Sequence, residues 1–536
     1  MHTAFQQPAS RASAGLIPFL SQDSKAAHLV RAALVGVMAG LIAVAFKWAL
    51  VGSERLRLLV LTELHRLPHA DAWGWAALGV LGIVCTVVVT WAVERFAPHA
   101  AGSGIPHLKG VLLHVREMRW RALLPVKFVG GVLGIGAGLS LGREGPTVQM
   151  GAGCGQALAD VLRVPSRGVP QLLSCGAGAG IAAAFNAPLA GFLFVIEELH
   201  RELSARTFAG ALVAALSADI VARALAGDLP SFAVSGLPAL PLSLLPVAAA
   251  IGITGGLVGV VFNRSIITTR RHVLRSGAAR RRMIAGACGA ACGLAAWWMP
   301  EAVGAGHLTA ERLLTGHLAF GVGALLLLLC VKFVLTCASH ATGAPGGIFA
   351  PMLLMGAVAG SVAGEVIALA SPGLRPVIPS LAVLGMAAVF VGSVRAPLTA
   401  IVLAVEMTGN YHLLLALGVT CLLSDLAAGV LRDEPIYEAL LKLDLQVRPA
   451  GVAEQRGAVA PRTVYVGVQR SAALAGRSIR ESGVPAGCLI VGVERAGREV
   501  HPEADLVLAP GDHLTVLIPE DEAEKAMLVA HMATGL

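Results

Sequence analysis

Apolar residues come in long runs along this chain, and the polar interruptions between them carry most of the information. Residues 28–51 and 74–93 are the first two runs, the former holding Lys47 near its end. Each is long enough for the ~20 residues that a helix needs to cross a bilayer. The pattern then breaks at Gly102-Ser103-Gly104-Ile105-Pro106, followed by a short segment ending in a polar stretch from His114 to Arg121. A run from Leu124 to Leu141 contains Lys127 and leads into Gly142-Arg143-Glu144-Gly145-Pro146, after which an apolar helix is predicted towards Val161. Gly176 to Leu199 holds Asn186-Ala187-Pro188-Leu189 and ends on the adjacent carboxylates Glu197 and Glu198. Spans near 209–226 and 241–263, then about 283–299, then from 318 onwards complete an all-α, multi-pass membrane pattern. Interrupted hydrophobic segments at membrane depth are how transport proteins expose backbone groups to an ion.

The pentapeptide at 142–146 is the centre of this pattern. Arginine and glutamate inside a bilayer cost roughly 2.5–3.5 kcal/mol apiece even on a lenient scale, so they line a bundle interior or an ion path. Gly142 and Gly145 free the backbone from helical angles, and Pro146 suits the first position of a new helix. Glu144 then lies at a helix N-terminus, where unpaired N–H groups and the dipole attract anions. The plainer reading is a carboxylate that caps this helix and pairs with Arg143.

Comparing the two halves gives that position its weight. Val126-Lys127-Phe128-Val129 recurs as Val331-Lys332-Phe333-Val334, and in the same register Gly142 meets Gly347, Pro146 meets Pro351, Met150 meets Met355 and Gly151 meets Gly356. At a slightly wider spacing Ala187-Pro188-Leu189 meets Ala396-Pro397-Leu398, and Glu197 meets Glu406. Two halves with matching broken helices place a binding site at the repeat interface near the midplane. Phe349 stands where Glu144 stands in the first half. One acid in two halves suits a single anion pathway with one acid gate, whereas a carboxylate-rich cation site would want acids in both.

Composition agrees with the membrane reading: of 536 residues 56% are hydrophobic and 14% charged, and mean hydropathy is +0.74. The 63 glycines allow close helix packing in lipid. A formal charge of +8 is no nucleic-acid signal here, because Arg270, Arg271, Arg275, Arg280, Arg281 and Arg282 fall together between apolar spans. They read as a cytoplasmic loop by the positive-inside rule. Nine scattered cysteines show no C-x-x-C pairing and read as small buried hydrophobes. Residues 1–27 lack the pattern of a cleaved signal peptide and read as a cytoplasmic tail.

Beyond a polar linker at about 441–461, with Pro449, Gly451, Gly457 and Pro461, the pattern becomes that of a small α/β domain. Thr463–Val468, Leu489–Val493 and Leu514–Ile518 read as strands, and Leu474–Ser482 as a short helix. Pro510-Gly511-Asp512 supplies a turn, and Pro519 followed by Glu520, Asp521 and Glu522 starts a final helix.

GSGIP at 102–106, GREGP at 142–146 and GGIFAP at 346–351, supported by NAPLAG at 186–191 and EMTGNY at 406–411, closely resemble the signature of the CLC family of chloride channels and chloride/proton exchangers. The resemblance covers roughly residues 28–440, with inverted halves at about 28–226 and 241–440. It implies many short tilted helices and a homodimer with a separate anion pathway in each subunit. The tail, with LAGRSIRESGVPAGCLIVGVERAG and LAPGDHLTVL, resembles a TrkA-type C-terminal (RCK-C) domain over residues 462–536. Such modules are regulatory and bind small ligands; which ligand is not legible.

Carried over by motif, the resemblance implies that Ser103 hydrogen-bonds chloride, with Gly102, Gly104, Ile105 and Pro106 shaping its turn. The backbone amides of Ile348 and Phe349, flanked by Gly347, Ala350 and Pro351, complete the site with the hydroxyl of Tyr437. A neutral donor replaces water around an anion without trapping it as a full charge could. Glu144, within Gly142, Arg143, Gly145 and Pro146, matches the gate that also transfers protons. Glu198 matches the internal proton-transfer glutamate, and having both acids favours an exchanger over a passive channel. The plainer alternatives are an N-cap for Ser103, an interfacial belt role for Tyr437 and a solvated helix end beside His200 and Arg201 for Glu198. A serine hydrolase built on Ser103 lacks an accompanying base motif, and no phosphate-binding Gly-x-x-x-x-Gly-Lys loop is present. The expectation is therefore a transporter and not an enzyme, needing no cofactor or metal. Its partners are chloride, protons and lipid, its seat a bacterial inner membrane, and both its termini cytoplasmic.

Overall fold

The computed structural model describes residues 24–67, 69–113, 115–200, 205–232, 234, 236–318, 320–447, 462–469, 472–485, 487–495, 498–518, 529 and 532–533. Most of the expected N-terminal tail, the linker from 448 onwards and the helix expected after Pro519 lie outside them.

Seventeen α-helices are present among the described residues. The first half contains α1 (Lys25–Arg66), α2 (Ala70–Phe96), α3 (Ile105–Leu112), α4 (Trp120–Gly136), α5 (Glu144–Leu162), α6 (Val169–Phe185), α7 (Pro188–Phe194) and α8 (Ala205–Ala226). The second repeats this order as α9 (Leu245–Leu274), α10 (Ala278–Trp298), α11 (His307–Leu314), α12 (Val322–Thr342), α13 (Phe349–Ala370), α14 (Ile378–Val394), α15 (Pro397–Thr408) and α16 (Leu414–Val430). One helix without a counterpart, α17 (Ile436–Val447), follows. Eight helices are long and apolar enough to cross a membrane among the described residues.

Several boundaries differ from the hydropathy pattern, each for a local reason. Helix α1 starts where the Ser24 hydroxyl accepts the Ala27 N–H at 3.2 Å. It runs 42 residues, well past the apolar stretch. Its later part is used: Arg57 donates to the carbonyls of Ile135 and Gly136 at 3.3 and 3.1 Å, at the end of α4 where the last carbonyls have no donor from a following helical turn. The run at 176–199 is not one helix. Asn186 adopts a left-handed conformation (φ 53°), its amide donates to the carbonyls of Gly227 and Leu229 at 3.0 Å each, and Pro188 opens α7. The arginine cluster is not a long loop either. Arg270 and Arg271 lie near the end of α9 while Arg280, Arg281 and Arg282 lie in the first two turns of α10, so cationic side chains extend the helices beyond their apolar parts. Likewise α17 continues as helix to Val447 through what the sequence marks as linker.

Glycine contacts show the repeat in packing. Helices α5 and α6 meet backbone to backbone at Gly151 and Gly176, where a Cβ on either would run into the other's carbonyl. Their counterparts α13 and α14 meet in the same way at Gly356 and Gly385. The main core follows this interface, with Ile181, Phe185, Phe349, Met352, Leu384 and Phe390 among its buried members.

The C-terminal domain holds four antiparallel strands, β1 (Arg462–Gly467), β2 (Leu489–Arg495), β3 (Arg498–Val500) and β4 (His513–Ile518), in the order β1-β4-β2-β3. The register pairs Val466 with Leu514 and Ile490 with Val516, and the ladder slips between Ile490 and Gly492. Leu514, Val516 and Ile518 alternate into a core with Val466, Ile490 and Val493. The expected helix at 474–482 is a series of turns instead, since Gly476 and Gly483 take left-handed angles there. Val115, Leu441 and Leu445 enter the same core, and Arg116 Nη2 meets Asp444 Oδ2 at 2.9 Å. Thus α17 and the loop after α3 seat the domain on the membrane bundle.

Candidate functional site

Three glycine-rich turns meet at the centre of the bundle and are tied by their backbones. Gly142 N–H donates to the Gly347 carbonyl at 2.6 Å and Gly347 N–H to that of Gly142 at 2.7 Å. Equivalent residues of the two halves therefore bond reciprocally in an antiparallel bridge, as a two-fold axis between inverted repeats requires. Gly346 N–H donates to Gly102 O at 3.0 Å, bringing in the third turn. A Cβ on Gly145 would lie 2.8 Å from the Ser103 carbonyl, so only glycine permits this approach.

Both short helices, α3 and α11, open behind turns fastened by a buried lysine. Lys127 Nζ donates to the carbonyls of Ala100 and Gly102 at 3.0 and 2.7 Å, and Lys332 Nζ to those of Ala302 and Gly304 at 3.2 and 2.7 Å. Left-handed glycines sit at matching places, Gly102 and Gly104 before α3, Gly304 and Gly306 before α11. This is the structural content of the repeated Val-Lys-Phe-Val.

Glu144 is fully buried. It begins α5, two residues earlier than Pro146 suggests; first-turn N–H groups lack helical acceptors anyway, so the proline is tolerated there. Its carboxylate reaches beyond its own helix. Oε2 accepts the Ala350 N–H at 3.3 Å, at the head of α13 from the other half, and Oε1 lies 2.8 Å from His307 Nε2. Arg143 is a more distant partner, with Nε 4.0 Å from Oε1 and Nη2 donating to Ala184 O at 3.1 Å.

The head of α13 presents backbone N–H groups of the kind that attract anions. Ile348 and Phe349 are buried, and the first N–H groups of a helix have no helical acceptor. Ala350 and Pro351 occupy the second and third positions of this helix. Tyr437, in the first turn of α17, is buried and its hydroxyl has no hydrogen-bond partner among the described residues. A buried, unanswered donor is costly unless a ligand meets it. Ser103 is buried as well, and its Oγ accepts the Ile105 N–H at 3.2 Å. That local bond uses a lone pair and leaves the hydroxyl hydrogen to donate. Ile105 and Pro106 form the first turn of α3.

The adjacent acids point to different partners. A π-helical turn at Val195–His200 contains both, and such turns re-aim side chains. Glu197 caps the head of α15, accepting the N–H groups of Leu398 and Thr399 at 3.0 and 2.7 Å. Glu406 does the same for α7 at Leu189 and Ala190, at 3.1 and 2.8 Å. Glu198 is buried against Lys109 Nζ at 2.8 Å, not at a solvated helix end, and Glu438 Oε1 lies 3.4 Å from the same ammonium. Met407 holds the equivalent place in the second half.

Sequence reasoning missed His307 and Lys109. The first was within reach, because Gly304-Ala305-Gly306 repeats the spacing of Gly102-Ser103-Gly104 and marks the next residue as site-facing. Lys109 gave no signal, since its partners are distant in sequence. Among the described residues no cluster of three or more metal-ligating side chains occurs.

A family model described as voltage gated chloride channel matches residues 85–429, and one described as TrkA-C domain matches residues 464–529. Proteins of Salmonella arizonae and Salmonella paratyphi B described as H(+)/Cl(−) exchange transporter ClcA are each 38% identical over 430 residues, covering 79% of this chain and 90% of theirs. The solved structure of a slow cyanobacterial Cl−/H+ antiporter superposes with a TM-score of 0.74 at 32% identity, covering 80% of this chain and all of that one. That of a eukaryotic CLC transporter shares the fold at a TM-score of 0.66 and 24% identity, covering 80% of this chain and 75% of the other.

Proposed function

The chain belongs to the voltage-gated chloride channel (CLC) family, and on that premise we propose that it is a secondary active antiporter exchanging chloride for protons. The observation that carries this reading is the Glu144 carboxylate resting on the Ala350 N–H at the head of α13. A carboxylate held there is an anion in an anion's place. Deprotonated, Glu144 competes with chloride for that helix head; protonated, it loses the charge that holds it and leaves the path open. Chloride then meets the amides of Ile348 and Phe349 and the hydroxyls of Ser103 and Tyr437. Glu198, buried and paired to Lys109, passes protons on the side of the C-terminal domain. An acid on only one side of the repeat fits a one-sided task of this kind.

The test is paired chloride and proton flux in vesicles holding the purified protein. An exchanger moves protons uphill when driven by a chloride gradient, whereas a passive channel does not. Glu144→Gln fixes the gate in a neutral form, so chloride is expected to pass without proton movement and without dependence on pH. Sustained proton pumping by that variant sinks the gate assignment. A homodimer with one pathway per subunit, a bacterial inner membrane with both termini in the cytoplasm and a small regulatory ligand at residues 462–536 are parts of the same proposal. The family resemblance and the arginines at 270–282 support them.

A further inference from the structure

One side chain in contact with the gate has no part in the cycle above. His307 opens α11, and its Nε2 lies 2.8 Å from Glu144 Oε1. Glu144 has no exposed surface, but the His307 side chain keeps 24% of its own. The imidazole thus bridges the buried carboxylate and accessible space. Phe185 and Phe232 flank the ring with centroids 6.2 and 6.1 Å away.

The remaining charged groups around it are engaged elsewhere or distant. Arg143 reaches only to 4.0 Å from the same carboxylate oxygen. Lys332 is turned to the carbonyls of Ala302 and Gly304. Glu311 and Arg312 lie a turn further along α11; α14 carries no titratable residue, and α13 carries only Glu365, near its far end.

Repeat symmetry fixes the side from which this ring is reached. Helices α3 and α11 are equivalents, each opening behind two left-handed glycines and a lysine-fastened turn. The chain leaving α3 runs to the C-terminal domain through Val115 and the Arg116–Asp444 pair. Inversion sends α11 to the opposite face.

We propose that His307 is a catalytic proton donor and acceptor for the gate, serving the membrane face opposite the C-terminal domain. This rests on reading Glu144 as the gate. In the loading step the Nε2–H bond of the imidazolium breaks and the proton binds Glu144 Oε1, giving a neutral imidazole and a neutral carboxylic acid. The ring then regains a proton from a hydronium ion on that face, leaving water. Removing the negative charge weakens the hold of both the imidazole and the Ala350 N–H, so one transfer loads the proton and frees the gate. Histidine is suited to this because its charge ordinarily changes between about pH 5 and 8.

The experiment compares the native protein with His307→Gln, which keeps a hydrogen-bonding group but cannot carry the proton. Coupled exchange is measured in oriented vesicles while pH is varied on one face at a time. The expected result is a loss of coupled rate on the order of tenfold or more, with a changed pH profile only on the face opposite the C-terminal domain. In the Glu144→Gln background, where no proton has to reach the gate, the same substitution slows chloride flux far less. The inference is overturned by a native coupled rate and profile, by equal change on both faces, or by an equal loss in the Glu144→Gln background. If instead Glu144→Gln alone still pumps protons, the gate reading itself has failed.

Discussion

Replacing Glu197 and Glu198 one at a time by glutamine should separate fold stability from proton coupling, although the two are neighbours in one turn. The Glu197 carboxylate accepts the Leu398 N–H at 3.0 Å, the Thr399 N–H at 2.7 Å and the Thr399 hydroxyl at 2.7 Å. A bond to a charged acceptor contributes about 1.5–3 kcal/mol and one to a neutral acceptor about 0.5–1.5 kcal/mol. An amide also offers one oxygen where the carboxylate offers two, so Glu197→Gln leaves at least one donor facing an NH2 group. The sum is a loss of about 2–4 kcal/mol, borne by the packing of α15 and read as a lower thermal midpoint in detergent. Glu198→Gln acts differently. It removes the nearer of the two carboxylates on Lys109, whose ammonium retains Glu438 at 3.4 Å and is therefore not left alone. Chloride flux should persist in vesicles while chloride-driven proton uptake disappears. If Glu198→Gln drives protons uphill as well as the native protein, the internal route lies elsewhere. If Glu197→Gln melts like the native protein yet loses coupling, the capping role is wrong.

Two further substitutions probe other parts of the molecule. A Cβ on Gly142 would collide with Glu144 Oε2 and come within 3.1 Å of the Ala350 nitrogen, so Gly142→Ala should push the gate off α13 and lower the number of protons moved per chloride; unchanged stoichiometry would refute that crowding. In the C-terminal domain burial alone pushes the Asp512 carboxyl up, but Arg495, the Ala509 N–H and nearby His513 outweigh it and hold it below the usual carboxylate range. Arg495 Nε and Nη2 donate to its two oxygens at 2.8 and 2.7 Å. Its stabilisation is therefore present above the ordinary value of about 3.9 and is lost as pH falls through the lowered one. Asp512→Asn should speed amide exchange in 489–495 and 513–518 at neutral pH, with the difference from the native chain shrinking below about pH 4; a difference independent of pH would contradict the linkage.

What the sequence determined by itself was whatever is written locally or by repetition. Run length and hydropathy gave a multi-pass membrane protein, and Gly and Pro spacing marked the turns at 102–106, 142–146 and 346–351. Internal repetition of Val-Lys-Phe-Val and Ala-Pro-Leu gave two halves and marked the turns at which they meet. The one-sided placement of Glu144 and Glu198 was legible for the same reason, because Phe349 and Met407 stand at the matching positions. Tertiary structure alone decided who meets whom. The sequence places Glu144 at the start of a helix and leaves open what its carboxylate meets; it lies on the head of α13, because the Gly142–Gly347 bridge brings the two halves into contact there. Crossed caps from Glu197 and Glu406, the burial of Glu198 on Lys109 and the contact of His307 with Glu144 likewise join residues far apart in the chain. Local pattern records how each segment meets lipid and backbone geometry. Which side chains converge depends on how inverted segments pack, and at this centre the packing is set by glycines whose message in the sequence is only that nothing larger fits.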